Sequence, residues 1–167
     1  MEKLPNESTA TVLWLLPAEP ERGFLRALVA RLATACAGPI FEPHLTLGFG
    51  TPSTLEKVTR AVIRLRVRGI AFRPEFTKTL FVRLENAASL RALREQLGLD
   101  LTRPYAPHLS LLYCHLPDTG KAELARGMEL PFTSIAFDTV ALITCPMPTE
   151  SRADVESWKV VVSREIN

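Results

Sequence analysis

One five-residue pattern is written twice in this chain. Pro43-His44-Leu45-Thr46-Leu47 returns in the second half as Pro107-His108-Leu109-Ser110-Leu111. In an extended strand successive side chains point to opposite faces, so His44 and Thr46 share one face while Leu45 and Leu47 share the other. His108 and Ser110 separate from Leu109 and Leu111 in the same way. The chain has only three histidines, and two of them fill this slot. A lone His-x-Thr on a strand is ordinary, because threonine favours strands. Two copies with matching flanks call for a shared purpose.

Each copy supplies an imidazole, which exchanges a proton near neutral pH, and a hydroxyl, which donates to an anionic oxygen. Two such faces around one cavity suit hydrolysis of a phosphodiester without a metal. One histidine removes a proton from water, the other protonates the leaving oxygen, and Thr46 and Ser110 hold the nonbridging phosphate oxygens. Each proton transfer of this kind contributes roughly 10²- to 10⁴-fold in rate.

Around the two copies the hydrophobic pattern alternates strands and helices. It predicts a strand over Ala10–Pro17 and a helix over Pro20–Ala37, with Phe24, Leu25, Leu28, Val29 and Leu32 at helical spacing and Gly38-Pro39 as its end. A helix capped by Ser53 is expected over Thr54–Arg66, with Val58, Ala61, Val62 and Leu65 inward. Strands over Ile70–Phe76 and Lys78–Leu84 and a helix over Asn86–Gly98 follow. After the second motif come a helix over Asp118–Met128 and strands over Phe132–Cys145 and Ser157–Glu165. Gly48 and Gly50 would allow a close backbone turn just past the first motif.

The motifs resemble those of the two-histidine phosphoesterase superfamily, which includes the bacterial and archaeal RNA ligase-like proteins and the cyclic phosphodiesterases. Phe41 to Leu47 and Ala106 to Tyr113 are most similar to the plant and fungal cyclic phosphodiesterases, whose second motif reads His-x-Ser-x-x-Tyr, here His108, Ser110 and Tyr113. Val12 to Pro17 and Ser157 to Val161 are similar to the ends of that family, so the resemblance spans nearly the whole chain. It implies an α+β fold with two lobes related by a pseudo-twofold, antiparallel sheets lining a central cleft and helices outside. It also implies a cyclic phosphodiesterase that opens ADP-ribose 1″,2″-cyclic phosphate or a nucleoside 2′,3′-cyclic phosphate to a monoester.

At 167 residues, with 47% hydrophobic and 23% charged, the chain is expected to form a single domain, residues 1–167, with an internal duplication. A net charge of +2 implies no nucleic-acid-coating surface, so any RNA contact, such as a 2′,3′-cyclic phosphate end met in RNA processing, should be local to the cleft. Met1 to Ala10 lacks a basic start and an apolar core, and Val12 to Leu16 is too short to span a membrane. A soluble, cytoplasmic monomer is expected. Cys36, Cys114 and Cys145 are odd in number and widely spaced, as reduced buried thiols would be. The plant relatives carry disulfides, and three cysteines cannot form two.

Trp14 and Tyr113 are candidates to stack on a base or ribose, with Phe81 a third. Trp14 reads equally as a core residue. Tyr113 shares the parity of Leu109 and Leu111, so it reaches the cleft only if the strand bulges or ends there, as the family pattern implies. Arg73, Arg83, Arg103 and Arg152 are available to steer an anion, none singled out. His108 and His115 face opposite ways on a strand and no Cys-x-x-Cys or His-Glu-x-x-His spacing occurs, so neither metal nor cofactor is expected. His108 is read as base and His44 as acid. Two rivals remain: an enzyme of RNA ends or 2′,5′ linkages, and a phosphate-ligand binding module without turnover.

Overall fold

The computed structural model describes residues 8–167, so most of the Met1–Ala10 stretch read above lies outside it. Seven strands are β1 (Ser8–Pro17), β2 (Leu45–Phe49), β3 (Ile63–Ala71), β4 (Leu80–Leu84), β5 (His108–Leu112), β6 (Ser134–Met147) and β7 (Lys159–Glu165). Five helices are α1 (Glu21–Cys36), α2 (Pro52–Leu55), α3 (Ala88–Gln96), α4 (Asp118–Arg126) and α5 (Arg152–Glu156). Among the described residues no helix is long and apolar enough to cross a membrane.

The strands form one antiparallel sheet in the order β1-β2-β5-β4-β3-β6-β7, and β1 also pairs with β6, so the first six strands close on themselves. The order is symmetric about the two motif strands. On one side β2 pairs with β1 and β1 with β6; on the other β5 pairs with β4 and β4 with β3. The two lobes meet where β2 touches β5 through the single pair Leu45↔Leu109, and where β3 runs beside β6 from Ile63↔Phe137 to Arg66↔Ser134.

Alternation decides which face of this sheet is core. Leu45, Leu47, Leu109 and Leu111 are buried and join Leu25, Leu28 and Leu32 of α1 and Leu90, Leu93 and Leu97 at α3 in one apolar cluster. Burying each such leucine stabilises the fold by about 1.5–3 kcal/mol. The helices thus cover one face of the motif strands, and the polar motif residues are left on the other.

Two expectations fail. The helix over Thr54–Arg66 stops at Leu55, and residues from Ile63 onward form β3. Val58, Ala61, Val62 and Leu65 fit a helical period, but Ile63 and Leu65 also alternate with Arg64 and Arg66, and pairing with β6 selects the strand reading. The cap is Thr51, not Ser53, through a reciprocal capping box with Thr54 around Pro52. α5, with its own capping box between Ser151 and Asp154, was not foreseen. The pair of strands expected at Ile70–Phe76 and Lys78–Leu84 is present but shifted, with a 3₁₀ turn at Phe76–Lys78 between β3 and β4.

Candidate active site

Each motif strand contains a bulge at the same place. Opposite β1, Thr46 pairs with Trp14 and Gly48 with Leu13, leaving Leu47 as an extra residue; opposite β4, Ser110 pairs with Phe81 and Leu112 with Leu80, leaving Leu111 extra. An extra residue reverses the alternation beyond it. Leu112 therefore joins the core and Tyr113 turns to the same side as His108 and Ser110, as the family pattern implied. In the first copy the reversal passes through Gly48, whose φ of +148° suits glycine, and a Cβ there would stand 3.0 Å from Leu99. It delivers Phe49, five positions after His44 as Tyr113 is after His108, to the cavity side.

The carbonyls at the first bulge are held from outside the sheet. Tyr105 donates its hydroxyl to the Thr46 carbonyl at 2.8 Å, and the buried Arg94 donates from Nε to the Leu47 carbonyl at 3.3 Å. The Arg94 guanidinium lies 3.6 Å above the Tyr105 ring. Close packing fixes the second copy: a Cβ on Gly38 would stand 2.9 Å from the Tyr113 carbonyl, so only glycine fits there.

The two histidines are anchored alike. Nδ1 of His44 donates to the Glu42 carbonyl at 2.7 Å, and Nδ1 of His108 to the Ala106 carbonyl at 3.0 Å. A carbonyl only accepts, so each Nδ1 carries the hydrogen and each Nε2 is left with a lone pair in the neutral ring. Glu42 is itself clamped by Arg22 and Arg26 of α1 at 2.8 and 2.9 Å. Both histidines line a cavity of about 380 Å³ with Thr46, Ser110, Trp14, Tyr113, Phe49, Lys78 and Trp158.

No family model matches the chain. A cyclic phosphodiesterase of Arabidopsis thaliana is 24% identical over 171 residues, spanning 93% of this chain and 94% of that protein. Among solved structures, a phosphoesterase superposes with a TM-score of 0.56 at 14% identity, covering 95% of this chain and 98% of the other. LigT of E. coli complexed with 3′-AMP superposes with a TM-score of 0.53 at 15% identity, covering 95% and 98%. In fold, this chain is similar to these phosphoesterases. Its sequence likeness runs to the plant cyclic phosphodiesterase branch, over nearly the whole of both chains.

Within this phosphoesterase fold the aromatic candidates divide. Trp14 is 6% exposed and lies flat on the His44 ring, with centroids 3.6 Å apart and planes 10° from parallel. One face of the indole is thus taken by the histidine, which leaves Trp14 a wall of the cavity rather than an open stacking platform. Tyr113 lines the same cavity and packs against Phe41 at 4.4 Å and Trp158 at 5.6 Å. Phe81 is not in that cavity. It sits edge-on to His108 at 5.3 Å and lines a neighbouring hollow. His115 packs on Phe76 at 5.0 Å, outside the cavity, and no group of three or more His, Cys, Asp or Glu among the described residues is placed to hold a metal ion.

Sequence reasoning missed three members of the site. Phe49, 62% exposed, was signalled by the equal offsets of Phe49 and Tyr113 from their histidines. Trp158 stands edge-on to His44 at 5.6 Å and Trp14 at 5.2 Å. Lys78 enters from the 3₁₀ turn and lies close enough to His108 to disfavour its protonation. No pattern in the sequence marked either.

The electrostatics of the two histidines differ. Burial lowers His44 from 6.5 to about 4, with the charge of His108 adding and the Glu42 carbonyl opposing. His108 is lowered as well, by burial first and then by Lys78, against the Ala106 carbonyl. Tyr113 is pushed up to about 12 by burial, opposed by its hydrogen bond with Ser110, so it stays a neutral phenol. The Ser110 hydroxyl also reaches the Thr77 carbonyl at 3.2 Å, while the Thr46 hydroxyl has no partner among the described residues. The three cysteines are free thiols.

Proposed function

We propose that the chain is a metal-independent phosphodiesterase that opens a cyclic phosphate on a ribose to a phosphomonoester. The observation that carries this reading is the paired anchoring of His44 and His108, which occupies each Nδ1 and leaves each Nε2 free on histidines that line one cavity with two hydroxyl residues. The likeness to a protein named cyclic phosphodiesterase supports it, and the E. coli relative that holds 3′-AMP supports a nucleotide-sized occupant.

In this reading Nε2 of one neutral histidine takes a proton from water as its oxygen bonds to phosphorus. The bond from phosphorus to one ribose oxygen breaks, and the other histidine, protonated at Nε2, gives that oxygen its proton. Exchange with solvent restores both. Burial favours His44 as the base, because its proton is the harder to hold, and the more accessible His108 as the acid, the reverse of the assignment read from sequence. An arriving phosphate anion offsets Lys78 and eases protonation of His108. Thr46, Ser110 and Lys78 stabilise the charge that gathers on the equatorial oxygens in the pentacoordinate state. Thr46 is ready to donate; Ser110 turns its hydrogen from the Thr77 carbonyl to do so.

A second reading, action on RNA ends, is favoured by one feature, the cluster of cations beside His108. Turnover measured with a chelator on a nucleoside 2′,3′-cyclic phosphate, an RNA bearing the same terminus and a 2′,5′-linked dinucleotide separates the readings. Hydrolysis of the mononucleotide at least as efficient as that of the RNA is expected. Activity abolished by the chelator and restored by zinc would overturn the mechanism, and tight binding without turnover would make the chain a binding module.

A further inference from the structure

Each motif is touched by a residue that leads into the other. Three positions before His44 stands Phe41, which packs on Tyr113 at 4.4 Å; three positions before His108 stands Tyr105, which donates its hydroxyl to the Thr46 carbonyl at 2.8 Å. The two frames therefore brace one another, one through a ring and the other through a hydrogen bond. The second brace is backed from behind. Arg94, buried on α3, lies 3.6 Å above the Tyr105 ring, donates from Nε to the Leu47 carbonyl at 3.3 Å and reaches the Asp100 carbonyl at 3.5 Å. Two side chains of the second lobe thus hold two consecutive carbonyls at the bulge of the first.

Little else ties the motif strands together. β2 and β5 share the single pair Leu45↔Leu109, and the ladder from β2 to β1 is broken at the extra residue just past Thr46. On the far side of the brace the chain is stiff. Pro104 and Pro107 fix their own φ, and Pro107 also restricts Ala106, whose carbonyl holds Nδ1 of His108 at 3.0 Å. Tyr105 therefore fastens the backbone of Thr46 to a stiff segment that ends in His108. Burial raises the Tyr105 phenol above its usual value, against the Arg94 guanidinium, so it stays a donor at neutral pH.

We propose that Tyr105, backed by Arg94, is a positioning residue that sets the Thr46 hydroxyl in place relative to His108, so that a phosphate oxygen is gripped while the leaving oxygen is protonated. The proposal rests on the phosphodiesterase reading above. Neither Tyr105 nor Arg94 lines the central cavity, and both act through the carbonyls of the first bulge.

The test is a cycle of Tyr105→Phe and Thr46→Ala with adenosine 2′,3′-cyclic phosphate. Tyr105→Phe keeps the ring under Arg94 and removes one donor, leaving the second copy with the residue type that Phe41 gives the first, so the variant is expected to fold. With Thr46 present, kcat should fall by about 10-fold and KM change by less than about 2-fold, the signature of an interaction realised in the transition state. In Thr46→Ala the same substitution should cost less than about 2-fold, because no hydroxyl is left to place. A purely structural role predicts equal losses in both backgrounds. Equal losses, or no loss with Thr46 present, would overturn the proposal. Arg94→Lys keeps the charge without the planar face and should show a smaller loss with the same dependence on Thr46; a loss independent of Thr46 would strike Arg94 from the pair. Calorimetry with an adenosine–vanadate complex, a pentacoordinate mimic, runs the same cycle without turnover. Binding weakened by Tyr105→Phe only where Thr46 is present upholds the positioning role even if no cyclic phosphate is hydrolysed, which would sink the activity alone. Binding weakened alike in both backgrounds, or absent from the unaltered protein, rejects it.

Discussion

The two halves of the site share a frame but not an environment. Both histidines stand two residues after the carbonyl that holds Nδ1, both face a hydroxyl two residues on, and both precede a bulge at the third position. His44 is then sealed between Trp14, Trp158 and Phe41, while His108 has Phe81 at its edge, Lys78 beside it and two hollows open to it. Backbone geometry makes the halves interchangeable in form, and the side chains of their neighbours make them different in proton affinity. A duplicated frame can thus provide a base and an acid without two designs.

Removing either imbalance should show the difference, starting with the histidines themselves. His44→Ala and His108→Ala should each lower kcat by roughly 10²- to 10⁴-fold with little change in substrate binding. Solvent exchange should favour rescue by added imidazole in His108→Ala over the sealed His44→Ala. Steady-state kinetics with and without imidazole decides this, and near-normal turnover in either variant would end the paired mechanism.

Trp14→Leu keeps an apolar wall but takes away the flat face on His44. Turnover should fall by about 10-fold, a loss of about 1.4 kcal/mol in transition-state stabilisation, and the acid limb of kcat/KM should move up towards the ordinary imidazole range as His44 is rehydrated. A rise in KM alone would mean that the indole serves substrate rather than histidine.

Phe49→Ala tests the exposed partner of Tyr113. Loss of one stacked base is worth roughly 1–3 kcal/mol, expressed in KM with kcat retained, because stacking binds ground and transition states alike. Matched kinetics on nucleotides with purine and abasic ribose would show the aromatic contribution vanish in the variant.

A separate effect is on folding. His44 is held at about 4 in the folded chain against 6.5 ordinarily, so between those values the unfolded chain binds the proton that the folded chain refuses. Stability is therefore fully present above about pH 6.5 and is lost as pH falls towards 4, by up to roughly 1.4 kcal/mol per pH unit from this group. Urea titrations across that range should show the slope in the unaltered protein and a flatter one in His44→Gln.

How much of this was readable depended on whether a feature was local. His44, Thr46, His108 and Ser110 were legible because alternation and repetition fix their face without reference to partners. α1 was legible because its five buried positions, Leu25 through Ala33, obey one helical period. Val58 to Leu65 fits helix and strand templates at once, and only pairing with β6 decides between them. Trp158 lies more than a hundred residues from His44, and the arginines of the hollow beside His108 meet only because of the register of one hairpin. The side to which Tyr113 points hangs on one extra residue, Leu111, that alternation by itself does not reveal.

The chain has two tryptophans, and both line the central cavity, one of them flat against His44. All of its indole emission therefore originates within the site. An imidazolium quenches an indole it touches more strongly than a neutral imidazole does, so the unlabelled protein carries its own optical reporter of the charge on His44. The same signal follows the displacement of water as the cavity fills, and makes occupancy visible in a stopped-flow trace before any phosphate bond is broken.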